Sequence, residues 1–333
     1  LRQCVADHSS CGTRNHGVKL PSRLLELHSN AIRLREACEV SRNMKYATLS
    51  HCWGPRGVEA KLTKELLEDF RANIRPESLP RTFQDAISIT RRLGLAYLWI
   101  DSLCIIQDDP VDWEKESISM SEVYGNSWVN IAASWAKDCS EGCLYRSNPK
   151  IDRFQVEVKA WQDRQVRLQT LEVIPANMVL NSISMSVLSD RGWVLQERLL
   201  SPRTLHFTKA QIFWECNTLL GCESFPNGVP ACTTVSDIHI VKNNLSEQWH
   251  RIITKYTRCN LTQRRDVLVA MSGIIKRLQE QRQDICVAGI WRQDPEMQLL
   301  WMRSPSDVQK ARYLYTAPTW SWASSQGPIQ QQE

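Results

Sequence analysis

Tyr97-Leu-Trp-Ile-Asp101-Ser-Leu-Cys104-Ile-Ile-Gln107-Asp-Asp109 is the stretch on which the fold turns. From Ala96 to Ile100 it is apolar or aromatic with no 3.6-residue period, the texture of a short strand buried on both faces. It ends abruptly at Asp101, and the loop beyond carries Cys104, Gln107, Asp108 and Asp109. An open α/β sheet holds its ligand just past the ends of such strands. A plainer role also suits these residues, with Asp101 capping the strand and Cys104 filling the core. The pattern alone leaves both open.

Upstream, Tyr46 to Ser50 reads as another short strand, running into His51-Cys52-Trp53-Gly54-Pro55, whose Gly-Pro pair marks a turn. Residues 61–73 read as a polar surface helix. Thr82-Phe-Gln-Asp85 resembles a capping box, with helical spacing at Phe83, Ala86, Ile87, Thr90 and Leu93 and a stop at Gly94. A helix that turns straight into the 96–101 strand favours a parallel sheet. After the loop, Asp112 reads as an N-cap and Gly125 as a stop. Trp113, Glu116, Ser117, Met120, Val123 and Tyr124 share one face, which turns Glu116 inward. An inward carboxylate either finds a cation or has its pKa raised, and in the second case it is a general acid/base candidate. Trp128–Ala133 is the third apolar strand, followed by Cys139-Ser-Glu-Gly-Cys143. In a parallel sheet the loops 50–55, 101–110 and 134–144 emerge at one end. A nucleophile reading pairs Cys104 with His51 as base and Asp101 or Glu197 as orienter. His51 and Cys52 are neighbours on a strand and point to opposite faces, so His51 serves across the site.

Farther along, 154–160 and 165–170 alternate as a hairpin. Residues 191–200 read as a helix with Trp193, Gln196, Glu197 and Leu200 on one face, so Glu197 is a second inward carboxylate near Arg191, Arg198 and Arg203. Thr204–Phe207 and Gln211–Cys216 suggest another hairpin, and 221–235 a loop. Helices are expected over 246–258, 266–280 and 285–302, and an edge strand over 317–323. The expected class is α/β: a mainly parallel sheet flanked by helices, with added β-hairpins and a helical C-terminal part.

The 333 residues are 42% hydrophobic and 23% charged, enough for a sizeable core and too apolar for wholesale disorder. Net charge is +5 and dispersed, so no nucleic-acid partner is expected. With no apolar span of about 20 residues, no membrane partner is expected either. Twelve cysteines without a Cys-x-x-Cys or a signal peptide suggest free thiols inside a cell. Cys4, His8 and Cys11 have soft-ligand spacing for zinc. A structural site wants four, and no fourth ligand is identifiable beyond Cys38 or His16 as guesses. An opening Leu1 reads as a piece of something longer.

Three blocks carry a resemblance: Tyr46-Ala-Thr-Leu-Ser-His-Cys-Trp-Gly54; Leu79-Pro-Arg-Thr-Phe-Gln-Asp-Ala86 with the 97–108 stretch, Asp112-Trp113 and Glu116; and Arg191-Gly-Trp-Val-Leu-Gln-Glu-Arg-Leu-Leu-Ser-Pro-Arg203 with Phe213-Trp-Glu-Cys216. In this order they closely resemble the fungal heterokaryon-incompatibility (HET) domain over 46–216, leaving 1–45 as an N-terminal flank and 217–333 as a helical extension packed on it. The resemblance implies a cytoplasmic protein of self/non-self recognition and the cell death that follows. It also implies a remote relation to Toll/interleukin-1-receptor (TIR) domains, some of which hydrolyse NAD through a helix-borne glutamate. On that reading Glu116 acts on NAD, and Ser50, Cys52, Trp53, Gln107, Glu197 and Arg198 line the pocket. Arg198 or Arg203 would grip phosphate in place of a glycine-rich loop. The Trp113-to-Glu116 spacing is one residue shorter than in those enzymes. The competing expectations are the cysteine-centred hydrolase, transferase or tailoring enzyme and a non-enzymatic signalling module that assembles with partners or its own copies.

Overall fold

Tyr46-Ala-Thr-Leu-Ser50 is buried at every position, and so is Val129-Asn-Ile-Ala-Ala133 beside it. Strands with no solvent face belong in the middle of a sheet covered on both sides. The computed structural model describes residues 1–12, 19–28, 31–41, 43–145, 154–162, 165–230, 233, 248–304 and 315–331. Its strands are β1 (Arg23–Leu27), β2 (Ile32–Glu36), β3 (Tyr46–Ser50), β4 (Tyr97–Trp99), β5 (Val129–Ala133), β6 (Phe154–Gln162), β7 (Gln165–Val173), β8 (Arg203–Phe207), β9 (Ile212–Cys216), β10 (Leu220–Cys222), β11 (Cys286–Val287), β12 (Ile290–Trp291), β13 (Trp301–Arg303) and β14 (Ile329–Gln331). The helices are α1 (Arg2–Asp7), α2 (Leu67–Ala72), α3 (Arg81–Arg92), α4 (Asp101–Cys104), α5 (Pro110–Gly125), α6 (Gly192–Leu200), α7 (Trp249–Tyr256), α8 (Ser272–Arg282) and α9 (Pro295–Leu299).

Eight strands form one sheet in the order β10-β9-β8-β5-β3-β4-β1-β2. β4, β3, β5 and β8 run parallel. The four remaining pairings, β1 with β2 and β4, and β9 with β8 and β10, are antiparallel. The sheet is therefore mixed rather than mainly parallel. Short connections such as those joining β1 to β2 and β8 to β9 close only antiparallel pairs, so hairpins finish both edges of a parallel centre. Taken in chain order, the four parallel strands lie 2-1-3-4, and the winding reverses between β3 and β5. That reversal is the topological switch point of a doubly wound sheet.

The main apolar core joins the sheet to Phe83, Ala86 and Ile87 of α3 and Met120, Val123 and Tyr124 of α5. Trp99 is fully buried and meets Tyr124 edge to face at 5.6 Å. A second core gathers Leu195, Leu199 and Leu200 of α6 with α7, α8, Trp291 and Trp322. α6 thus turns one side to the sheet and the other to the C-terminal region. Where α8 crosses α5 and α6, a Cβ on Gly273 would lie 2.2 Å from that of Ser121, so only glycine fits the crossing.

Several local expectations are replaced. Asp109, not Asp112, caps α5, accepting from the Val111 N–H, with Pro110 at the first helical position. Asp112 instead pairs with Arg23 of β1 at 2.5 Å and accepts the Ile106 N–H at 2.8 Å. Arg23 also donates to the Cys104 carbonyl at 2.7 Å, fastening the loop after β4 to the sheet edge. Thr82 and Asp85 form no capping box. Thr82 accepts the Gly142 N–H at 3.1 Å, and Asp85 accepts the Cys143 and Leu144 N–H groups at 2.9 and 3.3 Å. The polar 61–73 segment is helical only over α2. The expected helix over 285–302 is the β11–β12 hairpin, α9 and β13, because Gly289 and Pro295 break it. Instead of an edge strand, Trp322–Ser324 is a 3₁₀ turn whose Trp322 indole donates to the Gly289 carbonyl at 2.9 Å. No helix among the described residues is long and apolar enough to cross a membrane.

The Arg23–Asp112 pair is buried, with 7% and 13% of the side chains exposed. Removing one partner strands the other charge at a cost of about 3–5 kcal/mol. Arg23→Met is expected to lower unfolding free energy by that amount, and adding Asp112→Asn to recover part of it, as read by urea denaturation.

Candidate functional site

The parallel strands deliver their C-terminal ends together. The loop after β3 meets the loop after β4 through the Trp53 indole N–H, which donates to Asp101 at 2.9 Å. It meets the loop after β5 through the Cys139 thiol, 3.3 Å from the Cys52 carbonyl. Gly54, with φ +73, lies against Asp138, whose Cβ is 2.6 Å from where a Gly54 Cβ would stand.

Beneath this rim lies a buried polar chain. Thr48 donates to the Asn130 amide oxygen at 3.0 Å, and the Asn130 amide donates to Ser50 Oγ at 2.9 Å. Ser50 donates in turn to Glu197 of α6 at 2.5 Å. These donors run in one direction and end on the carboxyl group. Burial raises the Glu197 pKa from 4.5 to about 7, with Arg191, Ser50 and Tyr124 opposing the rise and Asp101 adding to it. A carboxyl titrating near neutrality can both give and take a proton under physiological conditions.

Next to Ser50 and Asn130 is a void of about 20 Å³, lined also by Ser134, Arg198, Thr204 and His206. That is room for one water, with Ser50, Asn130, Ser134 and His206 among the lining side chains, although most of the exposed lining is apolar. On its far side Arg198 grips Glu215 through two 2.9 Å hydrogen bonds. Glu215 lies 2.9 Å from His206 Nε2, and His206 Nδ1 lies 3.4 Å from Ser134 Oγ. Leu188 and Val194, packed with Cys52 and Ala132, form an apolar cover.

The expected site residues thus fall into separate groups. Ser50, Glu197 and Arg198 meet at the switch point. His51, Asp101 and Trp53 form the rim: His51 Nε2 is 3.7 Å from Asp101, too long for a hydrogen bond, and its ring stands edge-on to Phe83 at 5.0 Å. Burial lowers the His51 pKa to about 4, which Asp101 only partly offsets, so the ring is neutral at physiological pH. Gln107 folds back on the Asp101 and Ile105 carbonyls at 3.2 and 3.0 Å. Cys104 is fully buried beside Arg23, Glu116 and Asp101, and burial pushes its thiol up to about 12. Cys52 is pushed up to about 11 for the same reason. Neither sulfur is poised as a thiolate nucleophile. Glu116 is buried as expected, near Arg23, but neither of its oxygens has a hydrogen-bond partner among the described residues.

Cys4, His8 and Cys11 come together, and the fourth partner is Cys216 at the end of β9: their ligand atoms all lie within 4.8 Å of one another. Cys38 is exposed, and His16 lies outside the described residues. A cleft of about 270 Å³ opens onto this cluster, lined by Cys4 and His8 themselves with Leu1, Trp214, Leu219 and Cys222 among others. Although larger than the void at the switch point, it lies at the sheet edge, away from the titrating carboxyl; the exposed lining of both is mainly apolar.

Asn130, Ser134, His206 and Glu215 were not foreseen as site residues. Asn130 alone had a visible signal, since an amide inside the apolar run 128–133 needs a buried partner. Residues 46–197 match the family model described as heterokaryon incompatibility protein (HET). No curated protein and no solved structure matches the chain.

The raised Glu197 pKa has a stability consequence. The folded state holds this proton more tightly than the unfolded chain. The resulting stability is fully present below pH about 4.5 and is lost as pH rises through about 7. Its size is on the order of 3 kcal/mol, at roughly 1.4 kcal/mol per unit. Glu197→Gln keeps a neutral acceptor for Ser50, so its stability relative to the parent is expected to rise between pH about 5 and about 8. Buried neutral His51 acts in the opposite sense, costing stability as pH falls from 6.5 toward about 4. Urea midpoints of parent and variant are therefore compared at each pH.

Proposed function

We infer that this heterokaryon-incompatibility (HET) domain protein acts in fungal self/non-self recognition and the cell death that follows, through a small-molecule site at the β3/β5 switch point with Glu197 as its working carboxyl. One observation carries the reading. A buried carboxyl titrating at about 7 is hydrogen-bonded to Ser50, the last residue of a central parallel strand. Ligands of doubly wound sheets bind at this point. The 2-1-3-4 order of the parallel block supports the TIR-like expectation, and NAD is the substrate class it implies.

The reaction is hydrolysis of the nicotinamide–ribose bond. The C–N bond breaks and its electron pair leaves on the nicotinamide nitrogen. A water oxygen bonds to the anomeric carbon, and its proton passes to the Glu197 carboxylate. The void beside Ser50 has room for that water. Glu197 is favoured over Glu116 because Glu197 ends the Thr48–Asn130–Ser50 chain, whereas neither Glu116 oxygen has a hydrogen-bond partner among the described residues. Glu116 neighbours the Arg23–Asp112 pair, and Glu197 is bonded to Ser50, which lines the void.

A dinucleotide needs several hundred Å³. The void of about 20 Å³ would have to enlarge to admit one. Ile183, Ser186, Leu188 and Ser189 cover it, in a segment that passes from a π-helical turn (Leu180–Ser184) to a 3₁₀ turn (Val187–Asp190). π-turns are often found where helices work at functional sites. Moving this segment would open the site.

The test is release of nicotinamide from NAD by the purified chain. The expected result is turnover that Glu197→Gln cuts by about 100-fold or more and Glu116→Gln leaves unchanged. Absence of nicotinamide at high enzyme concentration would sink the reading, as would an active Glu197→Gln protein.

A further inference from the structure

We propose that Cys4, His8, Cys11 and Cys216 bind one zinc ion in a closed structural site, locking the N-terminal flank onto the edge of the sheet. Their four ligand atoms lie within 4.8 Å of one another, and the three cysteines are buried. All three sulfurs are free thiols in a cluster that offers obvious disulfide partners. His8 Nδ1 is 3.5 Å from Cys216 Sγ and 4.0 Å from Cys11 Sγ. A zinc tetrahedron with Zn–S near 2.3 Å and Zn–N near 2.0 Å has edges of roughly 3.5–3.8 Å. Contraction by up to about 1.3 Å along any edge would close the cluster around the ion.

The surroundings are those of a metal-bound thiolate group. The Leu219 N–H donates to Cys216 Sγ at 3.2 Å, and Thr218 Oγ1 lies 3.6 Å from Cys11 Sγ. Arg203 of β8 is 1% exposed and donates to Cys4 Sγ at 3.4 Å. Its other partners are the Trp128 and Cys11 carbonyls and the Trp128 ring, and it makes no carboxylate ion pair among the described residues. A buried guanidinium needs a counter-charge. Zinc with three thiolates and a neutral imidazole carries one net negative charge, which Arg203 would balance. All four positions come from the protein, leaving none open for water or substrate, so the site is structural rather than catalytic.

α1 is only six residues long and has no side-chain N-cap. So short a helix is not stable by itself. The ion would supply what holds it against β9.

The experiment is zinc content of the full chain, expressed in zinc-supplemented medium and freed of any affinity tag. One zinc per chain is expected. Cys216→Ser should hold roughly a tenth or less, and Cys38→Ser, at an exposed thiol outside the cluster, should hold the full amount. If Cys216→Ser does not fold, cobalt(II) loaded into the parent chain serves instead. The expected spectrum is tetrahedral, with the charge-transfer intensity of three thiolates and loss of colour on adding zinc. Zinc-free parent protein that gains no cobalt bands would overturn the proposal. So would full zinc content in Cys216→Ser, or a disulfide between any two of these cysteines. None of these readouts depends on nicotinamide release, so failure of one proposal leaves the other standing.

Discussion

The structure depends on bringing a carboxyl group from a helix against the middle of a sheet without a hydrogen-bonded cation. Glu197 is answered by a hydroxyl, and behind Ser50 stand Asn130 and Thr48. A buried polar group costs more unmade than its bond contributes when made. The chain is therefore specific as well as stabilising, because a slip of β3 against β5 by one residue would turn each of these side chains to the wrong face. The observed register, Thr48 opposite Asn130 and Ser50 opposite Ala132, is the one that closes the chain.

That requirement reaches into the C-terminal region. α6 can present Glu197 to Ser50 only if its far side is buried elsewhere, and Leu195, Leu199 and Leu200 find that burial against α7, α8 and Trp291. The Gln196 side chain accepts the Gly273 N–H at 2.8 Å, tying the same helix to the start of α8. The second core is thus part of how the switch point is built. Neighbouring acids are treated differently: Glu215 is held in the Arg198 fork and touches His206, while Glu197 receives a neutral donor. The two carboxyls therefore sit in unlike electrostatic settings.

The parts legible in the sequence were those set by local pattern. The strands ending at Ser50 and Ala133, the helices α3, α5 and α6, and the inward turn of Glu116 and Glu197 all follow from periodicity over a few turns. What escaped was set by partners far along the chain. Thr82 and Asp85 look like a cap because cap residues and loop-gripping residues are the same types; contact with residues 142–144 decides between them. Asp112 and Asp109 are both suitable caps, and Arg23, 89 positions away, claims Asp112. Cys216 is 208 residues from His8, and no spacing rule reaches that far. β1, β2 and the 285–302 elements are five residues or fewer each, too short for a period to declare itself.

The matched stretch 46–197 stops short of the unit that the geometry makes necessary. β8 begins at Arg203 and supplies the fourth parallel strand, and its Thr204 and His206 line the void. Arg203 in turn packs on Trp128 and donates to Cys4 Sγ and the Cys11 carbonyl, under α1 and the turn after it. Remove residues 1–11 and a guanidinium on the strand that carries His206 loses the groups it was buried against. Physical continuity therefore runs from the N-terminal flank, through Arg203, to the polar floor at the β3/β5 reversal.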